Sequence, residues 1–144
     1  MTVTSIATVL GGDVMLRRRV GTARELVELT REGLPAGALD QLAGEMKLSR
    51  TVVAKALGIS GRTMSRRVHA QARMSAGESD RVVRMARLLA RARETLGTDE
   101  KATAWMMTPN RTMAGDRPID RLDTDAGSQS VETVLGRIAY GVFS

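Results

Sequence analysis

The side chains able to do chemistry in this 144-residue chain are a group of carboxylates in a polar loop, one imidazole, and many arginines. Asp116, Asp120, Asp123 and Asp125 are spaced closely enough to suggest a hydrolase working through paired carboxylates. Acids in such loops usually cap turns or face water, however, and neither a histidine nor a metal-binding cluster accompanies these four. There is no cysteine, and His69 is the one histidine. Zinc sites with Cys or His ligands, thiol nucleophiles and Ser-His-Asp triads are therefore excluded. No Gly-rich phosphate cradle occurs. The chain reads as a binding protein and not an enzyme, with no cofactor and no metal.

The arginines are more informative. Net charge is +6, and all of the excess lies in residues 1–74, with twelve Lys/Arg against six Asp/Glu; residues 75–144 hold ten of each. Between Glu45 and Glu78 there is no acid, yet Lys47, Arg50, Lys55, Arg62, Arg66, Arg67 and Arg73 are present. A one-sign patch suits a polyanion, because each neutralised phosphate releases condensed counterions. The three aromatic residues, Trp105, Tyr140 and Phe143, lie far from this window. Base stacking is thus disfavoured, and duplex is favoured over single-stranded nucleic acid.

Inside the window, residues 50–67 have the spacing of a helix-turn-helix. Ala54 is small where two helices cross, Gly58 sits where the turn needs positive φ, and Ile59 and Met64 plug the angle between the helices. Arg50, Lys55, Arg62, Thr63, Ser65, Arg66 and Arg67 are the expected DNA-binding residues, five of them on the second helix, where they would bond phosphates and base edges in a major groove. His69 is expected at the surface. Modules of this kind usually read two half-sites, which implies a homodimer on an inverted repeat of duplex operator DNA.

The elements that must position these residues are all helical. Residues 1–21 read as a flexible N-terminal arm with at most a helical turn at Val14–Arg19. Thr22 and Glu25 form a capping box for a helix closed by Gly33 and Pro35. A second helix is expected from Pro35 to Met46, then Arg50–Leu57 behind Ser49 and Gly61–Ala70 behind Ser60. The longest should follow Ser79 and run to Leu96, with Arg84, Arg87 and Arg91 forming a solvated face opposite Val82, Met85, Ala86 and Leu89. Thr98 caps a helix ending at Met107, Pro118–Asp123 forms a small helix, and the last helix spans Ser130–Val142. The domains are accordingly 1–21, an arm; 22–78, the helix-turn-helix domain; and 79–144, a connecting helix with a C-terminal domain. The longest uncharged run, Met1–Gly12, is too short to cross a bilayer and Arg17–Arg19 follow it, so no membrane partner and a cytoplasmic location are expected.

The neutral second half carries Trp105, Pro109-Asn110, Gly115, Pro118 and Leu122, spaced Trp-x3-Pro-Asn-x4-Gly-x2-Pro-x3-Leu. Trp105 reads as an anchor buried under the loop, Asn110 as a turn former, Gly115 as a positive-φ position and Pro118 as a helix start. With the preceding helix-turn-helix and long helix, residues 22–144 resemble the Xre/MbcA/ParS antitoxins, although Met106, Met113 and Ala114 stand where leucine, leucine and glycine are more usual. The resemblance implies an all-α fold, an Xre-like helix-turn-helix bundle joined by a long helix to a small helical toxin-binding domain. It also implies function: a type II antitoxin that covers the active site of a cognate RES-domain, NAD-degrading toxin and represses its own operon. Arg137, Tyr140, Gly141, Val142, Phe143 and Ser144 are the expected toxin-binding residues, since aromatic anchors concentrate binding energy and Gly141 lets the chain leave its helix. The alternative is a stand-alone transcriptional repressor whose C-terminal half only dimerises.

Overall fold

The computed structural model describes residues 1–141, and its first departure from expectation comes at once. Residues 1–21 are not an arm. They form α1 (Val3–Val9) and α2 (Gly12–Leu16). Thr2 caps α1 by accepting the Ser5 N–H, and Ser5 reciprocates toward the Thr2 N–H. Ile6, Val9 and Leu10 recur at helical spacing and are buried, as are Leu16 and Val20 on either side of the arginine triplet. α1 lies on a helix some eighty positions later in the chain, so the segment is fastened by non-local apolar burial that its own short pattern does not announce.

α3 (Ala23–Glu32) follows behind the expected Thr22–Glu25 capping box, then α4 (Gly37–Glu45), α5 (Arg50–Ala56) and α6 (Gly61–His69). Ser49 and Ser60 accept the N–H groups of Val52 and Thr63, as their cap positions require. Pro35 does not open α4. It forms an isolated antiparallel bridge with Arg73 instead, and α4 starts two residues later.

α7 (Ala76–Leu96) begins one turn before the expected start. Ser75 is its cap, exchanging hydrogen bonds with Glu78, while Ser79 lies buried within the first turn and accepts the Leu34 N–H at 2.8 Å. The middle of α7 is buried nearly all round: Val82, Val83, Met85, Ala86, Leu88, Leu89 and Ala90 have almost no exposure. It packs on α1 and α3 from the first half of the chain, and on α8 (Asp99–Met107) and α9 (Asp125–Ala139) from the second.

This packing overturns the solvated arginine face. Arg84 is 9% exposed, donating to Asp80 at 2.8 Å and to the Leu122 carbonyl at 3.2 Å. Arg87 donates to Glu132 of α9 at 3.2 Å, and Arg91 is half-buried beside Gly136. A row of arginines on a helix reads as solvated only until a neutral domain with its own acids and carbonyls is laid over it.

α8 keeps its predicted bounds behind Thr98. Two short 3-10 turns follow, Arg111–Met113 and Pro118–Arg121, and α9 starts behind Thr124, earlier than the expected Ser130. The fold is all-α, with no strand among the described residues. No helix among them is long and apolar enough to cross a membrane.

Candidate nucleic-acid interface and the C-terminal domain

The turn between α5 and α6 is built as its residue types demand. Gly58 has φ of +69°, the Ile59 N–H reaches back to the Ala54 carbonyl at 2.8 Å, and Ala54, Ile59 and Met64 are buried. One determinant lies outside the motif. Arg81 of α7 donates to the carbonyls of Leu57 at 2.8 Å and Gly58 at 3.3 Å, satisfying acceptors that the end of α5 leaves open. Nothing near Gly58 in sequence points to it: the helix expected after Ser79 already carries Arg81, but helical periodicity does not say that its side chain turns back to the end of α5.

With α6 so fixed, the basic residues of the acid-free window separate into two groups. Arg62, Ser65 and Arg66 are exposed on the outer side of α6, Thr63 is half-buried, and Lys47 and Lys55 are exposed nearby. Among the described residues no carboxylate pairs with Lys47, Lys55, Arg62 or Arg66. His69 is also exposed, at the end of the helix.

The others are bonded to groups of the chain itself, Arg50 and Arg67 half-buried and Arg73 exposed. Arg50 makes a bidentate pair with Asp40, both contacts 2.7 Å, and its remaining nitrogen donates to Ser65 Oγ at 3.2 Å. That hydrogen bonding to Asp40 holds the Arg50 guanidinium charged above its ordinary range. Arg67 pairs with Glu78, and Arg73 donates to the Gly33 carbonyl at 2.7 Å. Burial pushes the Glu78 carboxyl up, but the Ser75 N–H, Arg67 and the Ser75 hydroxyl together hold it below the usual carboxylate range. Arg50 and Arg67, expected to reach DNA, therefore already have partners that orient α6. The partners, Asp40 and Glu78, lie outside the window, which is why a count of charge within it overstates what is free.

In the C-terminal domain the motif residues take structural roles. Asn110 Oδ1 accepts the Thr112 N–H at 3.0 Å, Gly115 has φ of +86°, and Pro118 opens its 3-10 turn. Trp105 is less enclosed than expected. Ala102 and Met106 take the fully buried positions of α8, and Trp105 is half-buried at the edge of the core. The loop acids do not converge. Asp120 is held by Arg117 at 2.8 and 2.9 Å, Asp116 by Arg121 at 3.2 Å, Asp125 accepts from Gln129 at 2.8 Å, and Asp123 is exposed. Arg121 also donates to the Met113 carbonyl at 2.8 Å and Ser130 Oγ at 3.1 Å, tying both turns to α9. Of the expected toxin-binding residues, Arg137 and Gly141 are exposed and Tyr140 is 87% exposed. Val142, Phe143 and Ser144 lie outside the described residues.

Comparison with known proteins joins these two halves. Residues 25–87 match the antitoxin Xre-like helix-turn-helix domain, and residues 91–141 match the antitoxin Xre/MbcA/ParS C-terminal toxin-binding domain. The chain is 31% identical to an antitoxin Xre of Photorhabdus laumondii over 81% of its own length and 79% of the relative's. It belongs to the Xre/MbcA/ParS antitoxin family. An antitoxin Xre of Yersinia enterocolitica is 30% identical over 83% of this antitoxin and 81% of the relative, and a Sphingobium protein named a Prs ADP-ribosylating antitoxin is 26% identical over 82% and 80%. The fold is shared with a chain in the crystal structure of the M. tuberculosis MbcT-MbcA toxin-antitoxin complex, at TM-score 0.58 and 24% identity, covering 76% of this antitoxin and 96% of that chain. The boundary between the two matched domains falls within α7, the helix that both halves pack against.

Proposed function

We propose that this antitoxin binds duplex operator DNA as a homodimer through the outer side of α6, represses its own operon, and blocks the active site of a cognate RES-domain toxin that degrades NAD. Arg62 and Arg66 are the DNA-reading residues in this proposal, with Lys55, Thr63 and Ser65 beside them. Arg50 and Arg67 act through Ser65 and the position of α6. The observation carrying the DNA half is the selective pairing. Arg50, Arg67 and Arg73 have carboxylate or carbonyl partners, whereas Arg62 and Arg66 have no carboxylate partner among the described residues. Unpaired guanidinium groups on a helix of this placement suit phosphates and guanine edges.

The toxin half rests on the family match over residues 91–141, and that match favours a toxin partner over a stand-alone repressor with a C-terminal half for dimerisation only. The blocking surface is assigned to the end of α9, at Arg137, Tyr140 and Gly141, continuing into Val142, Phe143 and Ser144. An almost fully exposed tyrosine at a helix end is the kind of aromatic anchor that carries binding energy when a partner covers it. The relative named for ADP-ribosylation supports a second reading of the toxin's chemistry, transfer of ADP-ribose to a protein in place of simple NAD breakdown.

Co-expression with the toxin from the adjacent gene tests the assignment. Deleting Val142–Ser144 together with Tyr140→Ala should abolish rescue of growth while DNA binding persists. Full rescue by that variant would refute the blocking surface. Whether ADP-ribose accumulates free or bound to protein in unprotected cells decides between the two toxin chemistries.

A further inference from the structure

The N-terminal segment places a third kind of arginine beside α6, one that neither matched domain includes. Leu16 and Val20 are both buried, so the chain between them is fixed at two points, and Arg17 and Arg18 have different surroundings. Arg18 turns toward α3 and pairs with Glu28 and Glu32 at 3.3 Å. Arg17 caps the end of α2 in left-handed backbone, φ +58°, is exposed, and has no carboxylate bonded to it among the described residues. It lines a groove of about 270 Å³ that is also lined by Val68, Gln71 and Ala72, from the last turn of α6 and the residues just after it. The acid in this groove is Asp40, and both of its oxygens are taken up by Arg50. Asp13 is exposed on α2 but does not line the groove.

From this placement we infer that Arg17 is part of the DNA interface, a phosphate clamp that extends the basic surface of α6 past its C-terminal end. The inference rests on the reading of α6 as the DNA-facing helix. A duplex lying along that helix passes its end, and the charge waiting there is a guanidinium in a groove with space for a phosphate and with polar Gln71 also in its lining. The contact is to backbone, so it contributes affinity and salt dependence without sequence preference.

The test uses the full chain, with two probes: a mixed-sequence 20-base-pair duplex and the duplex upstream of its own gene, each titrated across a salt series. Arg17→Gln should weaken binding to both by a similar factor, roughly threefold to tenfold, and reduce the salt slope by about one. Arg17→Lys should restore most of both. Arg17 is exposed, so thermal unfolding of the variants should match the parent. If Arg62→Ala/Arg66→Ala loses binding but Arg17→Gln keeps the parent's affinity and slope, the clamp is wrong and the reading of α6 stands. If the parent binds neither duplex, or the double variant binds as the parent does, the reading of α6 falls and the clamp with it.

Discussion

Two rows of arginine, one on α6 and one on α7, look alike in sequence and behave as opposites in the structure. Arg62 and Arg66 stand exposed with no carboxylate partner among the described residues, whereas Arg84 and Arg87 are bonded to acids and a carbonyl beneath the C-terminal domain. The spacing and charge are similar; the difference lies in what the rest of the chain offers each row. α7 is covered by a half of the molecule with as many acids as bases, and α6 is surrounded by a window with none. A guanidinium that finds its partner internally fixes structure, and one left without a partner is available for an external anion.

The contrast can be broken most directly at α6. Replacing Arg62 and Arg66 together by alanine should cost each side chain's contribution, about 1–3 kcal/mol apiece in operator affinity, with the thermal midpoint unchanged. Electrophoretic mobility shift and calorimetric unfolding on the same preparation check both halves of that statement; a fall in the midpoint with affinity intact would reverse the assignment. The converse substitution is Arg84→Ala. It leaves the Leu122 carbonyl without its donor in a buried place, and should lower unfolding stability by about 1–3 kcal/mol while the folded variant binds DNA as the parent does. Denaturant unfolding followed by a binding titration at low temperature measures it.

Glu78 sharpens the comparison from the acid side. Its carboxyl is held below the ordinary value of 4.5 in the folded chain, so it binds a proton less readily folded than unfolded. Its stabilising contribution is therefore complete above about pH 4.5 and is lost as pH falls through the lower, folded value. Glu78→Gln should flatten the acid limb of the stability-pH curve and leave the neutral region lower; an unchanged acid limb would show that the Arg67 pair contributes nothing. The smallest effect is expected at Ala114, an alanine held at φ of +55°. Ala114→Gly should relieve the left-handed strain and stabilise by about 0.5–1 kcal/mol, a rise of a few degrees in the thermal midpoint.

The part of the molecule that sequence made legible is the part governed by local chemistry. Ser49, Ser60, Thr98 and the Thr22–Glu25 box declare their helices because a cap acts within three residues, and Gly58 declares its turn because positive φ is a property of one residue. What sequence left dark depends on distant partners. Ile6, Val9 and Leu10 form too short a stripe, next to Gly11-Gly12, to show that α7 would cover them. Periodicity put Arg84, Arg87 and Arg91 on one side of α7 correctly, but it is silent on what lies over that side. Arg50 and Arg67 were legible as basic and hidden as paired, since Asp40 and Glu78 reach them through the fold. Trp105 was over-read for a related reason: an indole is large enough to suggest an anchor, yet Ala102 and Met106 hold the inward positions of α8.

α7 runs unbroken from Ala76 to Leu96 and supplies side chains to the packing of both halves. No cut along its length leaves either fragment with a covered core, so the halves melt as one cooperative unit and not in succession. A protease acting on the folded antitoxin therefore waits for the whole chain to open. Its lifetime in the presence of such an enzyme is set by the global unfolding equilibrium, and anything that binds the native chain, DNA or toxin, lengthens that lifetime by mass action alone.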